Sequence, residues 1–498
     1  MDYDIIVVGA GPGGSTAARQ CALNGLRTLL LEKEKLPRYK PCGGGVTSKA
    51  VSLLDFEIEE ELIERECYGV RFHYRSREIE VKMPFRITIL TSRDKFDMYL
   101  TEKAMDAGAE LRDSERVRSL ELRKECVNIK TDNSRYKAAA VIGADGINSI
   151  ISRYVRGRFK PTELALGLEA EIPVTAEDIE DPDMISAYFG YAPRGYGWVF
   201  PKREHLSVGI SGVLSGFKNP RDAFTDFLRR LNLNTDVKYH AHLLPIGGYD
   251  RTAYSDRILL VGDAAGSVDP LIGEGISYAI NSGKIATDVM VNAHERGDFS
   301  KTGLKKYDSM CHDAFGRYLK DALRVSQLAY KHPEIFVKML VSNRSLVNKT
   351  LRSDLDFSRN RYIITNSVLS ELLDESARVA IEAALKSKNI ILAEPREDFL
   401  KKVKEVAIKT GDISEMSSTD LDILAVALER NLVIISDDYR VQNVASALGL
   451  EFETTIHEGI KHKLRWFKIC EGCGRKYPME SDLCEICGSR LKKRAMRL

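Results

Sequence analysis

The stretch Asp4-Ile5-Ile6-Val7-Val8-Gly9-Ala10-Gly11-Pro12-Gly13-Gly14, with Ala17, Ala18, Cys21 and Ala22 following at helical spacing, decides the reading of the N-terminal part. Ile5 to Val8 is an unbroken apolar run of the kind that forms a buried strand. Gly9, Gly11 and Gly14 fit the G-x-G-x-x-G pattern. The first glycine permits a tight turn, the second lets a pyrophosphate approach the backbone, and the third lets helix and strand pack closely, with the helix N-terminus facing the phosphates. The next apolar run, Thr28-Leu29-Leu30-Leu31, ends at Glu32. That is close to the ~20-residue spacing at which a carboxylate accepts hydrogen bonds from ribose hydroxyls. Strand, turn, helix, strand and acid together predict a dinucleotide-binding α/β fold with Gly9, Gly11, Pro12, Gly13, Gly14, Glu32 and Lys33 at the cofactor. The glycines alone do not separate NAD from FAD.

Working outward, 498 residues correspond to about three domains at ~150 residues each. Hydrophobic residues make up 44% and charged residues 29%, which excludes disordered, collagen-like and disulfide-scaffold classes. The first residues carry no basic region ahead of an apolar core, and no later run approaches the ~18 apolar residues of a spanning helix. The expectation is a cytoplasmic protein, neither secreted nor integral to a membrane. Net charge is +2, yet the last 38 residues hold 11 Lys and Arg against 4 Asp and Glu, leaving an acidic body with a basic end. Such an end suits an anionic partner or is simply solvated. Of nine cysteines, Cys470, Cys473, Cys484 and Cys487 form two Cys-x-x-Cys pairs, whereas Cys21, Cys42, Cys67, Cys126 and Cys311 are scattered singly. This is the pattern of a metal site in a reducing compartment.

Two distant segments address the cofactor. Val141-Ile142-Gly143-Ala144-Asp145-Gly146 follows a strand-like run, and Arg257-Ile258-Leu259-Leu260-Val261-Gly262-Asp263-Ala264-Ala265-Gly266 is another strand running into a Gly-Asp turn. At these residues the chain resembles the FAD-dependent aromatic-hydroxylase-like superfamily. The resemblance implies an FAD-binding Rossmann-type α/β domain with an interleaved β-sheet substrate domain at about 65–90 and 160–250. It further implies Asp263 at the ribityl chain, Asp145 and Gly146 near the dinucleotide, Gly275 and Ile276 at the cofactor, and Arg93 of Arg93-Asp94-Lys95-Phe96-Asp97 in contact with the flavin.

Three further segments narrow the reaction: Lys40-Pro41-Cys42-Gly43-Gly44-Gly45, Gly195-Tyr196-Gly197-Trp198-Val199-Phe200-Pro201 and Asp269-Pro270-Leu271-Ile272-Gly273-Glu274-Gly275-Ile276. They resemble the archaeal geranylgeranyl reductase family over roughly residues 1–345. That resemblance implies saturation of the isoprenoid chains of digeranylgeranylglycerol phospholipids, with Cys42 as the active-site cysteine and Gly43 and Gly44 beside the flavin. Tyr196, Trp198 and Phe200 alternate with Gly197 and Val199, so on a strand their rings share one face. That face is either the wall of an apolar substrate tunnel or an aromatic core face. Gly209-Ile210-Ser211-Gly212 stands where the family has Gly-x-Gly. An FAD monooxygenase is the rival on the same fold. Ferredoxin, a reduced deazaflavin and NAD(P)H all stay open as electron donor. Tyr307, Phe315, Tyr318, Leu319, Leu323, Leu328 and Tyr330 form an amphipathic helical stretch, read first as packing against the flavin domain and second as a dock on the inner face of the membrane.

Beyond a polar linker, 346–361, a second βα pattern runs over 362–455, with helices at Ser367 to Leu385 and Ser418 to Arg430. Val368-Leu369-Ser370-Glu371, Ser418-Thr419-Asp420-Leu421-Asp422 and Ser436-Asp437-Asp438-Tyr439 resemble a PIN-domain endonuclease. Taken with the two Cys-x-x-Cys pairs, the C-terminal part is similar to the archaeal nuclease that matures small-subunit ribosomal RNA. The resemblance implies Glu371, Asp420, Asp437 and Asp438 as ligands of Mg²⁺ or Mn²⁺. A metal-binding Asp on a leading strand is missing, however, since Leu346-Val347-Asn348-Lys349-Thr350-Leu351-Arg352 stands in its place; a truncated nuclease with weak or absent cleavage is expected. A processing factor whose flavin part is incidental is the alternative. Cys470, Cys473, Cys484 and Cys487 have zinc-ribbon spacing over 463–492, and four thiolates closing a tetrahedral zinc fold a module without catalysing. Lys463, Arg465, Trp466, Lys468, Arg475 and Lys476 surround it with the charges and ring of an RNA-contacting ribbon.

Overall fold

The computed structural model describes residues 1–331 except 76, 84, 176–178, 180 and 251, and then 362–367, 390–413, 416–436, 438–453, 464–470, 475–477, 481, 483–485 and 490–497. The chain divides into two units, Met1–Val337 and Lys338–Leu498.

The first unit is built on a central sheet in which Glu110–Arg112, Thr28–Leu31, Tyr3–Val8, Arg135–Gly143 and Ile258–Leu260 run parallel in that order. Ile5, Ile6, Val7, Leu29, Leu30, Val141 and Ile142 are fully buried, which is why these strands read as continuous apolar runs. The helix Pro12–Leu23 packs on the long helix Ile276–Arg296 at a distance only small residues allow. A Cβ on Gly283 would stand 2.5 Å from the Gly13 carbonyl, and Thr287 Oγ1 donates to the Ala17 carbonyl at 3.3 Å. Val117–Leu122 and Val127–Thr131 extend the sheet as an antiparallel meander beside Arg135–Gly143.

A second sheet of seven strands comes from two separated parts of the chain. Its order is His240–Pro245, Leu164–Pro173, His205–Val213, Tyr196–Pro201, Met184–Phe189, Gly69–Tyr74, Arg77–Lys82. One face carries the helix Pro220–Arg230, whose Phe224, Phe227 and Leu228 are buried against Leu168, Ala170, Val208 and Ile210. The seat is shaped by Gly197, where a Cβ would lie 2.7 Å from the Phe227 ring. The opposite face is the one that carries the site.

The amphipathic stretch is helical from Lys306 to Lys331, interrupted by a π turn at His312–Gly316. Tyr307, Phe315 and Leu319 are buried in the central core, and Tyr307 Oη donates to the Leu260 carbonyl at 2.6 Å. Packing accounts for these apolar residues, so they are not a free face for a bilayer. The linker, 346–361, lies outside the described residues. Among the described residues no helix is long and apolar enough to cross a membrane.

In the second unit, Tyr362–Ile364 pairs parallel with Ile390–Leu392, and Ile434–Ile435 pairs parallel with Phe452–Glu453. The helices Glu397–Thr410, Ser418–Arg430 and Tyr439–Leu448 bury Val403, Leu424 and Val444 between them. Leu464–Cys470, Lys476–Tyr477 and Leu491–Arg497 form a three-stranded antiparallel sheet. Most of the proposed helix Ser367 to Leu385 lies outside the described residues, as do Glu371, Asp437, Cys473 and Cys487.

Candidate active site

The glycines of the first turn do three different things. Gly9 adopts φ +104°, and a Cβ there would lie 2.4 Å from the Ala144 carbonyl. A Cβ on Gly14 would lie 1.8 Å from the Gly9 carbonyl, so helix and strand close on each other only because it is absent. Gly11 faces open space, which is what the approach of a pyrophosphate requires. Glu32 ends its strand buried, accepting from the amides of Ala10 at 2.9 Å and Glu34 at 3.2 Å.

From Glu32 a chain of alternating charge leads inward. Arg38 stands 3.5 Å from Glu32 and donates to Asp97 at 2.9 Å, and Arg93 grips the same carboxylate through Nε at 2.9 Å and Nη2 at 3.0 Å. Burial would raise the Asp97 carboxyl, but Arg93 and then Arg38 outweigh it and hold it below the usual range. A thiolate at Cys42 would, with Asp97, favour the charged form of the Arg93 guanidinium. Arg93, expected from sequence as a flavin contact, is bonded in this structure to Asp97.

Cys42 is half-buried in a loop clamped residue by residue. Its sulfur accepts from the Gly44 amide at 3.4 Å. Gly43 lies flat against Phe200, where a Cβ would meet ring carbons at 2.6 Å. Gly44, at φ +73°, presses on Thr91, whose amide donates to the Gly44 carbonyl at 2.9 Å. Lys202, buried, donates to the Thr91 carbonyl at 2.7 Å.

Tyr196, Trp198 and Phe200 share the face of the second sheet that meets this loop. Tyr196 and Trp198 rings are 6.3 Å apart, and the Tyr196 hydroxyl donates to the Ile272 carbonyl. Gly209, directly opposite Trp198, is its seat, since a Cβ there would strike the indole at 2.1 Å. The unusual Gly209-Ile210-Ser211-Gly212 thus supplies the space the tryptophan needs. Trp198 Nε1 donates to Ser207 Oγ at 3.3 Å.

At the other end, Asp263 lies 4.0 Å from Lys40 Nζ, and a Cβ on Gly275 would stand 3.6 Å from Asp263 Oδ1. Gly275 precedes the helix that begins at Ile276. His242 reaches this end from the second sheet. Burial first, then Lys40, pushes its imidazole down to about 4 against the pull of Asp263, and its Nε2 is buried without a hydrogen-bond partner. An orphaned polar atom beside Asp263, together with the open space at Gly11, fits a large polar cofactor such as FAD. Asp145 sits next to Gly9, but its carboxylate is spent locally on Ser149 Oγ and the amides of Ile150 at 2.7 Å and Ile151 at 3.3 Å. Gly146 beside it takes φ +75° in the same turn.

Sequence reading passed over Arg38, Asp97, Glu169, Lys202 and His242. Glu169 carried a visible signal, being with Glu171 one of two charges in the otherwise apolar strand Leu164–Pro173.

In the second unit, Asp420 forms a capping box with Ser417, accepting from its amide at 2.9 Å and its hydroxyl at 2.8 Å. Asp438 caps the next helix by accepting from the Arg440 amide at 2.8 Å. Among the described residues no three His, Cys, Asp or Glu side chains cluster as a metal site.

Residues 2–322 match the FAD binding domain, and residues 342–429 match the PIN domain of ribonuclease. The chain is 32% identical over 343 residues to the digeranylgeranylglycerophospholipid reductase of Methanocaldococcus jannaschii, covering 66% of this chain and 87% of that protein. It is also 32% identical over 350 residues to an uncharacterized protein of Methanosarcina barkeri, covering 69% and 86%. Among solved structures, a geranylgeranyl bacteriochlorophyll reductase-like protein from Thermoplasma acidophilum aligns with TM-score 0.62 at 28% identity, over 66% of this chain and 87% of that one. The halogenase PltM, at 17% identity and TM-score 0.58 over 71% and 82%, shares the fold alone. The fold and site are therefore those of an FAD-dependent oxidoreductase. Within that class the chain belongs to the digeranylgeranylglycerophospholipid reductase family and carries a PIN-like part behind it.

Proposed function

We propose that this chain saturates the geranylgeranyl chains of digeranylgeranylglycerol phospholipids in archaeal membrane-lipid synthesis. The observation that carries this reading is the Cys42–Gly43–Gly44 loop pressed against Phe200, which puts a thiol between the cofactor end of the site and the aromatic face. The reductase relatives support the substrate class.

Gly9, Gly11, Pro12, Gly13, Gly14, Glu32 and Lys33 would hold the dinucleotide; Gly43, Gly44, Arg93, Asp263, Gly275 and Ile276 would surround the remainder, with Asp145 and Gly146 shaping the turn beside Gly9. Reduced FAD, when bound, supplies the hydride for one alkene carbon. Cys42 positions the alkene and delivers a proton to the other carbon. Tyr196, Trp198 and Phe200 hold the apolar chain and exclude water, which fixes geometry at the reacting carbons. The lipid is drawn from a membrane surface on which the protein acts peripherally, and the electrons come from a ferredoxin, a reduced deazaflavin or NAD(P)H.

The C-terminal part is read as an RNA-binding module with an incomplete Mg²⁺ or Mn²⁺ site and a structural zinc. Cys470 and Cys484, two of the four expected ligands, are buried together around Tyr477, whose hydroxyl is 3.2 Å from the Cys484 sulfur. That supports the zinc reading.

The test is anaerobic. The purified flavoprotein is reduced, digeranylgeranylglyceryl phospholipid is added, and flavin reoxidation is followed while the lipid is weighed by mass spectrometry. Stepwise gain of hydrogen pairs is the expected result. Unchanged lipid, with hydroxylated product or peroxide formed only on admitting oxygen, moves the protein to the monooxygenase branch.

A further inference from the structure

Beneath the Cys42 loop lies a buried carboxyl that the cofactor-binding motifs do not include. Glu169 is 3% exposed on the strand Leu164–Pro173, and its Oε1 accepts from Ser207 Oγ at 2.6 Å. Ser207 in turn accepts from the Trp198 indole, tying the carboxyl to the aromatic face. The Cys42 main-chain amide approaches the carboxyl and favours its charged form, yet Oε2 is buried with no closed hydrogen bond. A buried carboxylate with one oxygen unsatisfied is costly, and the usual relief is to hold a proton.

We propose that Glu169 is the proton store of the site, reloading the Cys42 thiol after each double bond is reduced. This rests on the reductase reading above. In the step, one alkene carbon takes the hydride of reduced FAD, and the neighbouring carbon takes the proton of the Cys42 thiol as its S–H bond breaks. The thiolate then takes the proton of the Glu169 carboxylic acid, and Glu169 is reprotonated from water. Each turn consumes one hydride and one proton, as saturation of one double bond requires. Several double bonds in one substrate make a local store useful, because water then has to reach Glu169 between reductions and not the reacting carbons.

The groups facing Glu169 bear on its proton. Burial pushes its carboxyl above the ordinary range, with Glu171 on its own strand adding to the rise and Ser207, Lys202 and the Cys42 main-chain amide opposing it. Gly209 and His240 stand opposite it on the flanking strands, and Tyr39 and Cys42 face it from the loop. Lys202 is itself engaged with Thr91 and pushed down by burial, which weakens its hold on a carboxylate.

Two readouts on the cofactor-stripped protein and one on the holoenzyme test the proposal. Infrared difference spectra of wild type against Glu169→Gln at neutral pH should contain the carbonyl stretch of one protonated, buried carboxyl. Iodoacetamide labelling of Cys42 against pH should show a changed profile in Glu169→Gln, and Glu169→Asp should restore it toward wild type. In the holoenzyme, successive reductions of one lipid should slow at least 10-fold in Glu169→Gln, with the rate of the first reduction much less affected. An ionised carboxylate at neutral pH, or a Cys42 profile indifferent to Glu169→Gln, overturns the proposal. Because the first two readouts need no turnover, full activity of Cys42→Ser would remove the underlying reading while leaving the state of Glu169 measured. Should Glu169→Gln fail to fold, Ser207→Ala shifts the same carbonyl band if the carboxyl is protonated, and leaves the spectrum unchanged if it is not.

Discussion

Replacing Arg93 by Met separates two roles that a motif cannot distinguish. If its job is to touch the flavin, its loss weakens FAD binding and leaves the stripped protein as stable as before. The structure assigns it first to Asp97, a fully buried carboxylate held by two bonds from Arg93 and one from Arg38. Taking away one partner of such a buried pair costs roughly 3–5 kcal/mol, because the remaining charge is left inadequately compensated. At ~2.1 cal/mol/K per residue, a unit of this length unfolds with an entropy near 0.7 kcal/mol/K, so about 4 kcal/mol lowers Tm by about 6 °C. The assay is calorimetry of the FAD-free protein, wild type against Arg93→Met, with Arg93→Lys between them. Asp97→Asn gives an independent sign. The Asp97 carboxyl lies below its unfolded value, so its contribution is fully present above ~pH 4 and is lost as pH falls through the depressed value. The Asn variant should therefore be less stable at neutral pH and lack that acid-dependent loss. A stripped Arg93→Met protein with unchanged Tm, binding FAD at least 10-fold more weakly, would refute the reasoning.

Gly14→Ala places a Cβ 1.8 Å from the Gly9 carbonyl and 2.9 Å from the Ala144 Cβ, so the purified variant should lose its bound flavin, read by the ratio of visible to ultraviolet absorbance. Gly209→Val drives into the Trp198 indole, where even a Cβ lies at 2.1 Å; KM for the lipid should rise several-fold while FAD content is unchanged, as steady-state assays with quantified flavin will show. His242 is pushed down to about 4, below its unfolded ~6.5, so the unfolded chain binds the extra proton and stability falls as pH drops from ~6.5 toward 4, by at most on the order of 3 kcal/mol. His242→Asn should flatten that slope in denaturant titrations. Chelation should release about one zinc per chain and melt the Leu464–Cys470 and Leu491–Arg497 sheet, seen as loss of amide protection confined to those strands.

The cofactor half of the site was readable because it is written in backbone geometry. Gly9 and Gly14 must be glycine for reasons of contact and conformation, Gly11 leaves the room that a pyrophosphate would need, and one short spacing records all three. Glu32 was readable by its fixed distance from that turn. The charge relay Glu32–Arg38–Asp97–Arg93 was not, because each member is ordinary at its own position. Only the tertiary fold brings Arg38, seven residues past the second strand, onto a helix that begins at residue 93. The same holds for His242 and Lys202, which arrive from the second sheet. For Arg93 the motif does not record its second engagement, the ion pair with a neighbour one helical turn away.

The same distinction governs the carboxylates of the two units. Asp420 and Asp438 each stand where a helix begins, and each spends its oxygens on amides or a hydroxyl of its own turn. Helix capping is the commonest employment of an aspartate at that place, so their spacing alone says little about a metal. Glu169 is the opposite case. No cap, turn or ion pair of its own strand uses its Oε2, and a strand flanked by Leu168 and Ala170 gains nothing from a charge. A polar group retained where folding would prefer an apolar one has to be explained by what stands next to it, and next to Glu169 stands the Cys42 loop.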